Sequence, residues 1–492
     1  MTKTQGTLDL SRFSRNACVY AAGNVMLRMG SFLLIPLYTR ALAVDQFGLL
    51  ANILVLVQLM MIVMGLGSHK SFIRFFAQHE GRKRAGVLIC NSLLINFLGG
   101  CLLTLLTVLC FPGWIEAVFK THRVLHYLLP ACGLALAHTL CVHAMSYYRA
   151  KNEGPKFMLA SIGAFLLILG LTALFLLRLD LGIAGALMAQ LISYATVTIL
   201  VLADVFAKER MGCSLDQISQ LLSFGVPLIF GNLADQITSA SGFFFLGYLA
   251  NLETVAVYSV GFKVASMVGV GLILPFQLAL EPFVFANLNK PQIRATLSTL
   301  LTYLMLAFAF VAFTIALFSR QIIQLIAPAE YGGAYTLVLL LLPATVFKGV
   351  YYVGESMLHI RNKTHISGGM LVLFGLFSVF MNYGMISAWG ALGAVVTYNV
   401  IVIATGLTSL FLGMKIFPIP LQKRRLLQVS LLLTFLFASV FLLRGSQPYL
   451  YYSVLPALML TGVLGLYRTN FFSHEEKAVM RGFWQRLKTA VA

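Results

Sequence analysis

The chain is 492 residues long and 59% hydrophobic, with 35 Lys and Arg against 16 Asp and Glu for a formal net charge of +19. Charged residues make up 10% of it, where a soluble domain carries about 25%, so soluble, disordered and disulfide-scaffold classes are excluded. A membrane span takes about 20 apolar residues, and fourteen spans would nearly exhaust the apolar side chains, leaving a polytopic membrane protein with little outside the bilayer.

Backbone groups facing lipid must be satisfied within their own segment, so long apolar runs bounded by charged or Gly/Pro-rich breaks read as helices. Fourteen are predicted, at roughly 17–39, 46–66, 85–111, 124–148, 157–177, 182–203, 219–248, 254–276, 295–318, 334–357, 368–387, 391–413, 426–443 and 449–467. No secretory signal fits the N-terminus, because residues 1–15 are polar and the first apolar run is already full length; the chain is expected to insert through its own first helix. With the N-terminus placed inside, the inner segments hold 26 Lys and Arg, among them Lys70, Arg74, Arg82, Lys83, Arg84, Lys151, Lys208, Lys423, Arg424 and Arg425. The outer loops hold six: Arg40, Lys120, Arg123, Arg178, Arg320 and Arg444. This asymmetry places both termini in the cytoplasm, and it supports the helix count, since one missed span would invert every later loop.

The longest outer connections, around Pro112–Arg123 and Ser319–Gly333, run to about a dozen residues, too few for a catalytic domain. The basic tail, Arg468–Ala492, reads as a solvated end drawn to anionic headgroups. The seven cysteines include no CxxC and lie mostly within helices, as inert buried thiols do; Cys110 and Cys132, near the outer ends of neighbouring helices, are the one pair worth testing for a disulfide.

The chain also repeats itself. Gly23-Asn24 matches Gly231-Asn232 at an offset of 208, where Asp45 falls on Glu253 and Gly48 on Ala256. Gly182-Ile-Ala-Gly185-Ala186 matches Gly390-Ala-Leu-Gly393-Ala394 at the same offset, and Lys151-Asn152 matches Arg361-Asn362 at 210. Six helices therefore map onto six in the same direction, a parallel repeat about an axis along the membrane normal. The expected organisation is a first lobe over 1–214, a second over 215–415, and two appended helices with the tail over 416–492. Lobes so related usually enclose a cleft that opens to one side at a time.

Three basic residues, Arg28, Lys263 and Lys348, and two acids, Asp235 and Glu355, remain within the predicted spans. Charges at membrane depth are costly and mark functional positions facing a cavity or a partner. Asp235 lies one residue from the repeat equivalent of Arg28, so the two are candidates for an ion pair across the lobes. Lys348 and Glu355 are two turns apart, too far for a direct bond. Whether Asp235 and Glu355 couple the cycle to an ion, gate it or serve as structural residues is left open by spacing alone. A surplus of positive charge favours an anion such as pyrophosphate, since Arg offers phosphate a bidentate fork and Lys a mobile point charge. Asn24, Asn232 and Gln236 supply polar side chains at the same depth, with Gln58, Gln190, Asn382 and Asn399; they line a path for glycans or act as interhelical glue. Pro36, Pro227, Pro275 and Pro343 fall in or near spans, where they favour bends. No Gly-rich nucleotide loop appears, so neither ATP nor any other cofactor or metal is expected.

With fourteen helices, the six-plus-six repeat, and the stretch Asn24-Val-Met-Leu-Arg28 through Pro36-Leu-Tyr-Thr-Arg40, Gln46-Phe-Gly48 and Gly65-Leu-Gly67, the chain resembles the polysaccharide and O-antigen flippases of the multidrug, oligosaccharidyl-lipid and polysaccharide exporter superfamily. The resemblance covers nearly the whole chain and rests on the order of loose motifs. It implies an all-α fold of two lobes in a V around a central cavity, and the turning of a polyprenyl-pyrophosphate-linked oligosaccharide from the cytoplasmic to the outer face of a bacterial inner membrane. Arg28, Lys263 and Lys348 occupy places comparable to cavity cations that engage the pyrophosphate in that family. The implied partners are the lipid-linked glycan, membrane lipids, and the polysaccharide polymerase and chain-length machinery; no nucleic acid is implied, and the expected state is a monomer without enzymatic activity. Two alternatives stay open, an ion-coupled exporter of cationic drugs, to which three bases against two acids are poorly suited, and a lipid II flippase, whose first helix carries a cluster of cations where this chain has one deep arginine. A glycan polymerase or ligase is disfavoured by the short outer loops.

Overall fold

The computed structural model describes residues 30, 32–77, 85–110, 112–120, 124–273, 276, 277, 280, 283, 284, 287, 288, 290, 292–361, 363–443, 448–469, 471 and 472. Among the described residues there is no strand. Sixteen α-helices follow one another among the described residues: α1 Ile35–Ala41, α2 Val44–Gly65, α3 Ser68–Phe76, α4 Ala85–Cys110, α5 Pro112–Phe119, α6 Val124–Ala150, α7 Gly154–Ala173, α8 Gly182–Lys208, α9 Leu215–Leu249, α10 Leu252–Val268, α11 Ile293–Ile326, α12 Ala334–Ile360, α13 Thr364–Trp389, α14 Ala391–Ile416, α15 Lys423–Leu443 and α16 Pro448–Arg468. Wider π-turns extend α7 over Leu174–Arg178 and α10 over Gly269–Ile273.

Among the described residues, eleven helices are long and apolar enough to cross a membrane. Of the fourteen predicted spans, the first is represented only by its end, α1; α9 and α16 occupy the seventh and fourteenth positions. With 35 residues α9 has ample length, but Asn232, Asp235 and Gln236 dilute its middle. Such a helix belongs against protein and not against lipid. The helices also run past the predicted apolar limits. Ser319–Ile326, read as loop, continues α11, and the connection after Cys110 contains α5.

The connections fall on two faces. One carries Lys70, Arg74, Lys151, Lys156, Lys208, Arg210, Lys363, Lys415 and Lys423 and is called the basic face; the opposite face carries Arg40, Lys120, Arg178 and Arg320. In the first half α8 packs on α6, and α6 on α2 and α4; in the second α12 packs on α14 and α9 on α13, while α15 joins through α11 and carries α16. Burial sorts centre from rim: 67% of the most apolar stretch of α12 is buried and 61% of that of α11, against 22% for α4 and α15. Leu98, Leu102 and Leu109 on α4 and Leu431 and Phe435 on α15 are exposed, as side chains facing lipid should be. With lipid as apolar as leucine, helices associate through close backbone packing at small residues. On α12 and α14 a Cβ at Gly406 would meet the Phe347 carbonyl oxygen at 2.6 Å, and one at Gly413 the Gly354 oxygen at 2.7 Å.

Candidate functional site

The two halves meet along α2. Its first residues carry an acidic first turn (Asp45), as α10 does at the repeat-equivalent Glu253, and carboxylates there complement the helix dipoles. The two helices run parallel with backbones touching, since a Cβ on Gly48 would fall on the Leu252 carbonyl, 2.7 Å from its carbon and 3.2 Å from Ala256 N. Antiparallel α9 follows α2 along its whole length. Gly247 lies against Asn52, Gln236 Nε2 donates to Gln58 Oε1 at 2.8 Å, and Gly67 rests on Gly225. Beyond that, Ser71 Oγ donates to the Leu221 carbonyl at 2.9 Å, and the Arg74 guanidinium stands 4.1 Å from the centre of the Phe224 ring. At the face opposite the basic one, α1 closes on α11: Thr39 Oγ1 donates to the Ile326 carbonyl at 2.8 Å and Arg40 to that of Leu325 at 3.0 Å. The Phe47 ring meets Tyr331 edge-on at 5.9 Å. The halves are thus sealed at that end by α1, α2, α10 and α11, and down one flank by α2 and α9.

Lys348 lies 14 residues from Ala334 and 12 from Ile360 on α12, about 20 Å from either end at 1.5 Å per residue, and so deeper than the predicted limits of that span suggested. Its ammonium is 5.8 Å from the Tyr398 ring centre on α14 and interacts electrostatically with Asp235 on α9. One turn toward the basic face, the Tyr351 hydroxyl donates to Glu355 Oε1 at 2.6 Å, and Ser367 Oγ on α13 reaches the same oxygen at 3.1 Å. Tyr351 also lies within electrostatic reach of Asp235. Four helices of the second half therefore converge on one polar group: Asp235, Lys348, Tyr351, Glu355, Ser367 and Tyr398. Asp235 is exposed at membrane depth, where a carboxylate is costly against lipid and calls for a watered opening between helices.

Lys263 stands apart from that group. It projects from α10 of the second half to α2 of the first, its ammonium 5.5 Å from the centre of the Phe47 ring, and among the described residues no charged group acts on it. Phe47 in turn stacks on Tyr38. Lys263 is thus a cation between the halves, held by an aromatic face where a carboxylate would be expected.

The remaining predicted residues divide plainly. Arg28 and Asn24 lie outside the described residues, and with them the proposed Arg28–Asp235 pair; Pro275 and most of the basic tail do too. Asp235 lies within electrostatic reach of Lys348, and among the described residues no ion pair joins Lys348 to Glu355, whose Oε1 takes the Tyr351 hydroxyl. Gln236 bonds across the halves to Gln58, whereas Gln190, Asn382 and Asn399 bond within a half, to the Tyr38 hydroxyl, to Ser241 Oγ and to the Leu340 and Val395 carbonyls. Asn232 is half-buried on α9. Cys110 and Cys132 are both free. Among the described residues no group of three or more His, Cys, Asp or Glu could hold a metal ion.

Tyr351, Ser367 and Tyr398 escaped the sequence reading, which followed formal charge; the i, i+4 spacing of Tyr351 and Glu355 was the available signal. A second polar assembly, at the basic face of the first half, escaped it as well. Lys151 pairs with Glu209, and Asp204 takes Lys156 at 3.0 Å and Lys208 at 2.7 Å, with the Tyr147 hydroxyl on Glu209 at 2.7 Å and that of Tyr148 on Asp204 at 3.2 Å. Burial opposes the charge on Glu209, but the bonds from Lys151 and Tyr147 outweigh it and hold the carboxyl below its usual range. All ion pairs among the described residues belong to this assembly, which ties the ends of α6, α7 and α8 together.

Comparison with known proteins follows the same lines. A model of the family described as polysaccharide biosynthesis protein matches residues 13–288. No curated protein sequence matches the chain. Among solved structures, an inward closed conformation of the lipid II flippase MurJ superposes with a TM-score of 0.71 at 13% identity, over 91% of this chain and 96% of that one. An inward-facing multidrug resistance MATE transporter of the MOP superfamily gives 0.63 at 15% identity, over 84% and 96%. An outward-facing MATE transporter gives 0.63 at 15%, over 84% and 99%. At these identities the likeness is one of fold.

Proposed function

Because the chain belongs to the polysaccharide biosynthesis protein family, with the fold of MOP-superfamily transporters, we propose that it is a flippase for polyprenyl-pyrophosphate-linked oligosaccharide units. The observation that carries this reading is the pair of lysines at membrane depth, each with incomplete neutralisation among the described residues: Lys348 with Asp235 in reach and no ion pair between them, Lys263 with an aromatic face alone. Desolvated cations so placed are poised for an anion that brings its own charge into the membrane. The basic face is the cytoplasmic one, where the lipid-linked unit is made, and the sealed end faces outward. Two lobes, 1–214 and 215–415, rock against each other along α2 and α9.

Pyrophosphate entering from the basic face would draw Lys348 from Asp235, leaving that carboxylate as the gating or coupling group, while Glu355 stays bound by Tyr351 and Ser367. Arg28, Lys263 and Lys348 are the proposed pyrophosphate ligands; Asn24, Asn232 and Gln236 pass the sugars, and the lipid tail stays in the bilayer. The polymerase and chain-length machinery would take the product at the outer face. Reconstituted with a lipid-linked glycan, the parent is expected to flip it, and Arg28→Ala, Lys263→Ala and Lys348→Ala to lose at least about tenfold, the equivalent of one charge-assisted bond to phosphate at roughly 1.5–3 kcal/mol. Parental rates in all three would remove the cationic cavity from the mechanism.

A second reading, export of cationic drugs, draws on the exposure of Asp235 at membrane depth. It requires drug resistance on overexpression that is lost in Asp235→Asn while glycan flipping is absent. Transport of lipid II alone among lipid-linked glycans would favour a lipid II flippase.

A further inference from the structure

Away from the lysines, the first half contains a histidine whose two ring nitrogens both have partners in either protonation state. His143 lies on α6 about 10 Å from its basic end and is 2% exposed; Ser68 and Asn96, which surround it, are wholly buried. Its Nδ1 is 2.7 Å from the Thr139 carbonyl oxygen and its Nε2 is 2.7 Å from Ser68 Oγ. A carbonyl only accepts, so Nδ1 carries a hydrogen in every state, and in the neutral ring Nε2 accepts from the Ser68 hydroxyl. Ser68 Oγ also lies 2.8 Å from the Gly65 carbonyl oxygen and 3.0 Å from Asn96 Oδ1, while Asn96 Nδ2 has no partner among the described residues.

One hydroxyl hydrogen faces three acceptors when the ring is neutral. A half-turn of the Asn96 amide relieves this, because its Nδ2 then donates to Ser68 Oγ, which keeps its own hydrogen for Nε2. When the ring is protonated, the arrangement fits without that turn: Nε2–H donates to Ser68 Oγ, and the freed hydroxyl hydrogen goes to Gly65 or Asn96 Oδ1. Rotation of one hydroxyl and one amide therefore gives both ring nitrogens a partner with or without the proton. A histidine kept only for packing needs one such state.

The network sits on the joint between the halves. Ser68 opens α3 immediately after Leu66 (φ 45°) and Gly67 (φ 63°) break the chain away from α2 in the left-handed region. Gly67 is the residue that rests on Gly225 of α9, and three residues after Ser68, Ser71 makes its bond to Leu221. The titratable groups that reach His143 are Arg149 on its own helix and His69 on α3, whose ring meets it edge-on at 5.5 Å; Lys70 acts on His69 in turn. From the other helices packed on α6, no carboxylate acts on it among the described residues. Burial, reinforced by His143, Arg149 and Lys70, holds His69 below the usual imidazole range.

We propose that His143, with Ser68 and Asn96, is a proton-binding site linked to the α2–α9 joint at the basic face, empty while Gly67 and Gly225 are in contact and occupied once they part. A cation added to a dry pocket that already faces Arg149 is unfavourable. Parting of the joint at Gly67 admits water to Ser68 and removes that penalty, so protonation and opening favour each other by linkage. Nothing here depends on the cargo, and failure of the flippase reading would leave the site untouched.

The test uses the full chain in lipid nanodiscs, its native cysteines replaced by Ser, with spin labels on Ala77→Cys and Gln220→Cys, exposed positions at the end of α3 and on the facing turn of α9. The long-distance population is expected to grow as pH falls from 8 to 5, with a one-proton midpoint. His143→Asn keeps an amide donor for the Thr139 carbonyl but takes up no proton, and should abolish the dependence; His69→Asn should preserve it. Ser68→Ala removes the acceptor of Nε2–H and should lower the midpoint by about one pH unit, since a bond to a charged donor is worth more than one to a neutral ring. A distance distribution constant from pH 5 to 8 in the parent, or a dependence that survives in His143→Asn, overturns the proposal. Should His143→Asn not fold, an unshifted midpoint in Ser68→Ala does the same.

Discussion

The contact most sensitive to a single methyl group is the one between Gly48 and the start of α10. An alanine Cβ there would overlap the Leu252 carbonyl and stand 2.7 Å from its carbon and 3.2 Å from Ala256 N, where ordinary contact begins near 3.5 Å. Both partners are backbone in helices, so no rotamer relieves the clash, and α2 and α10 must part by about 1 Å. Overpacking of this kind costs about 1–3 kcal/mol, and with two rigid backbones the upper end applies. The strain falls between the halves and not within either, so parting them is the cheaper escape. About 3 kcal/mol corresponds to a factor of roughly 150 against the sealed state. A reporter is at hand in Asn52, wholly buried one turn further along α2. In a chain otherwise free of cysteine and carrying Asn52→Cys, labelling by a hydrophilic maleimide in nanodiscs should accelerate by up to about two orders of magnitude on addition of Gly48→Ala. Gly163→Ala, where an added Cβ has nothing within 4 Å among the described residues, should leave the rate unchanged. Monodisperse Gly48→Ala protein that labels within twofold of the parent would show that this seam does not limit opening.

Two further outcomes follow from the polar contacts. Phe47→Leu and Lys263→Met, alone and combined, should reveal in denaturant unfolding a coupling of about 1 kcal/mol, the range of a partly desolvated cation–π pair; simple additivity would show that the ring does not hold the ammonium. Glu209→Gln should lower stability by about 1 kcal/mol at pH 7, a modest sum for a pair whose side chains are 31% and 15% exposed. Because the folded-state pKa of Glu209 is depressed, that contribution is complete above the ordinary carboxylate range and disappears as pH falls through the folded value. The gap in melting temperature between parent and variant should therefore be constant from pH 6 to 8 and close below about pH 4; a gap that persists in acid would assign Glu209 a role other than its charge.

The order and approximate limits of the helices were legible because lipid imposes one rule on every residue within it, and long apolar runs between charged breaks record that rule directly. The repeat was legible for the same reason, since paired turns such as Asp45 and Glu253 recur at helix starts where a carboxylate meets the helix dipole. So was the rarity of Lys263, Lys348, Asp235 and Glu355, because a charge inside an apolar run needs no fold to be conspicuous. Spacing along α12 also showed that Lys348 and Glu355 do not pair.

What those charges face was decided by tertiary structure. Asp235 was read against Arg28, which lies outside the described residues, and only the convergence of α9, α12 and α14 sets both Asp235 and Tyr398 within electrostatic reach of Lys348. Lys263 read as a cavity cation, and the packing of α10 against α2 sets its ammonium over the Phe47 ring. His143, Ser68 and Asn96 are unremarkable in sequence, spread over three helices and separated by up to 75 positions; packing alone joins them at the Gly67 break. Hydropathy is a property of each residue against its solvent and is written locally, whereas partner choice between buried polar groups depends on which helices cross and at what depth. The chain by itself thus determined that this is a many-helix, duplicated membrane protein with a few deliberate charges, and the folded arrangement decided which of them stand together and which stand between the halves.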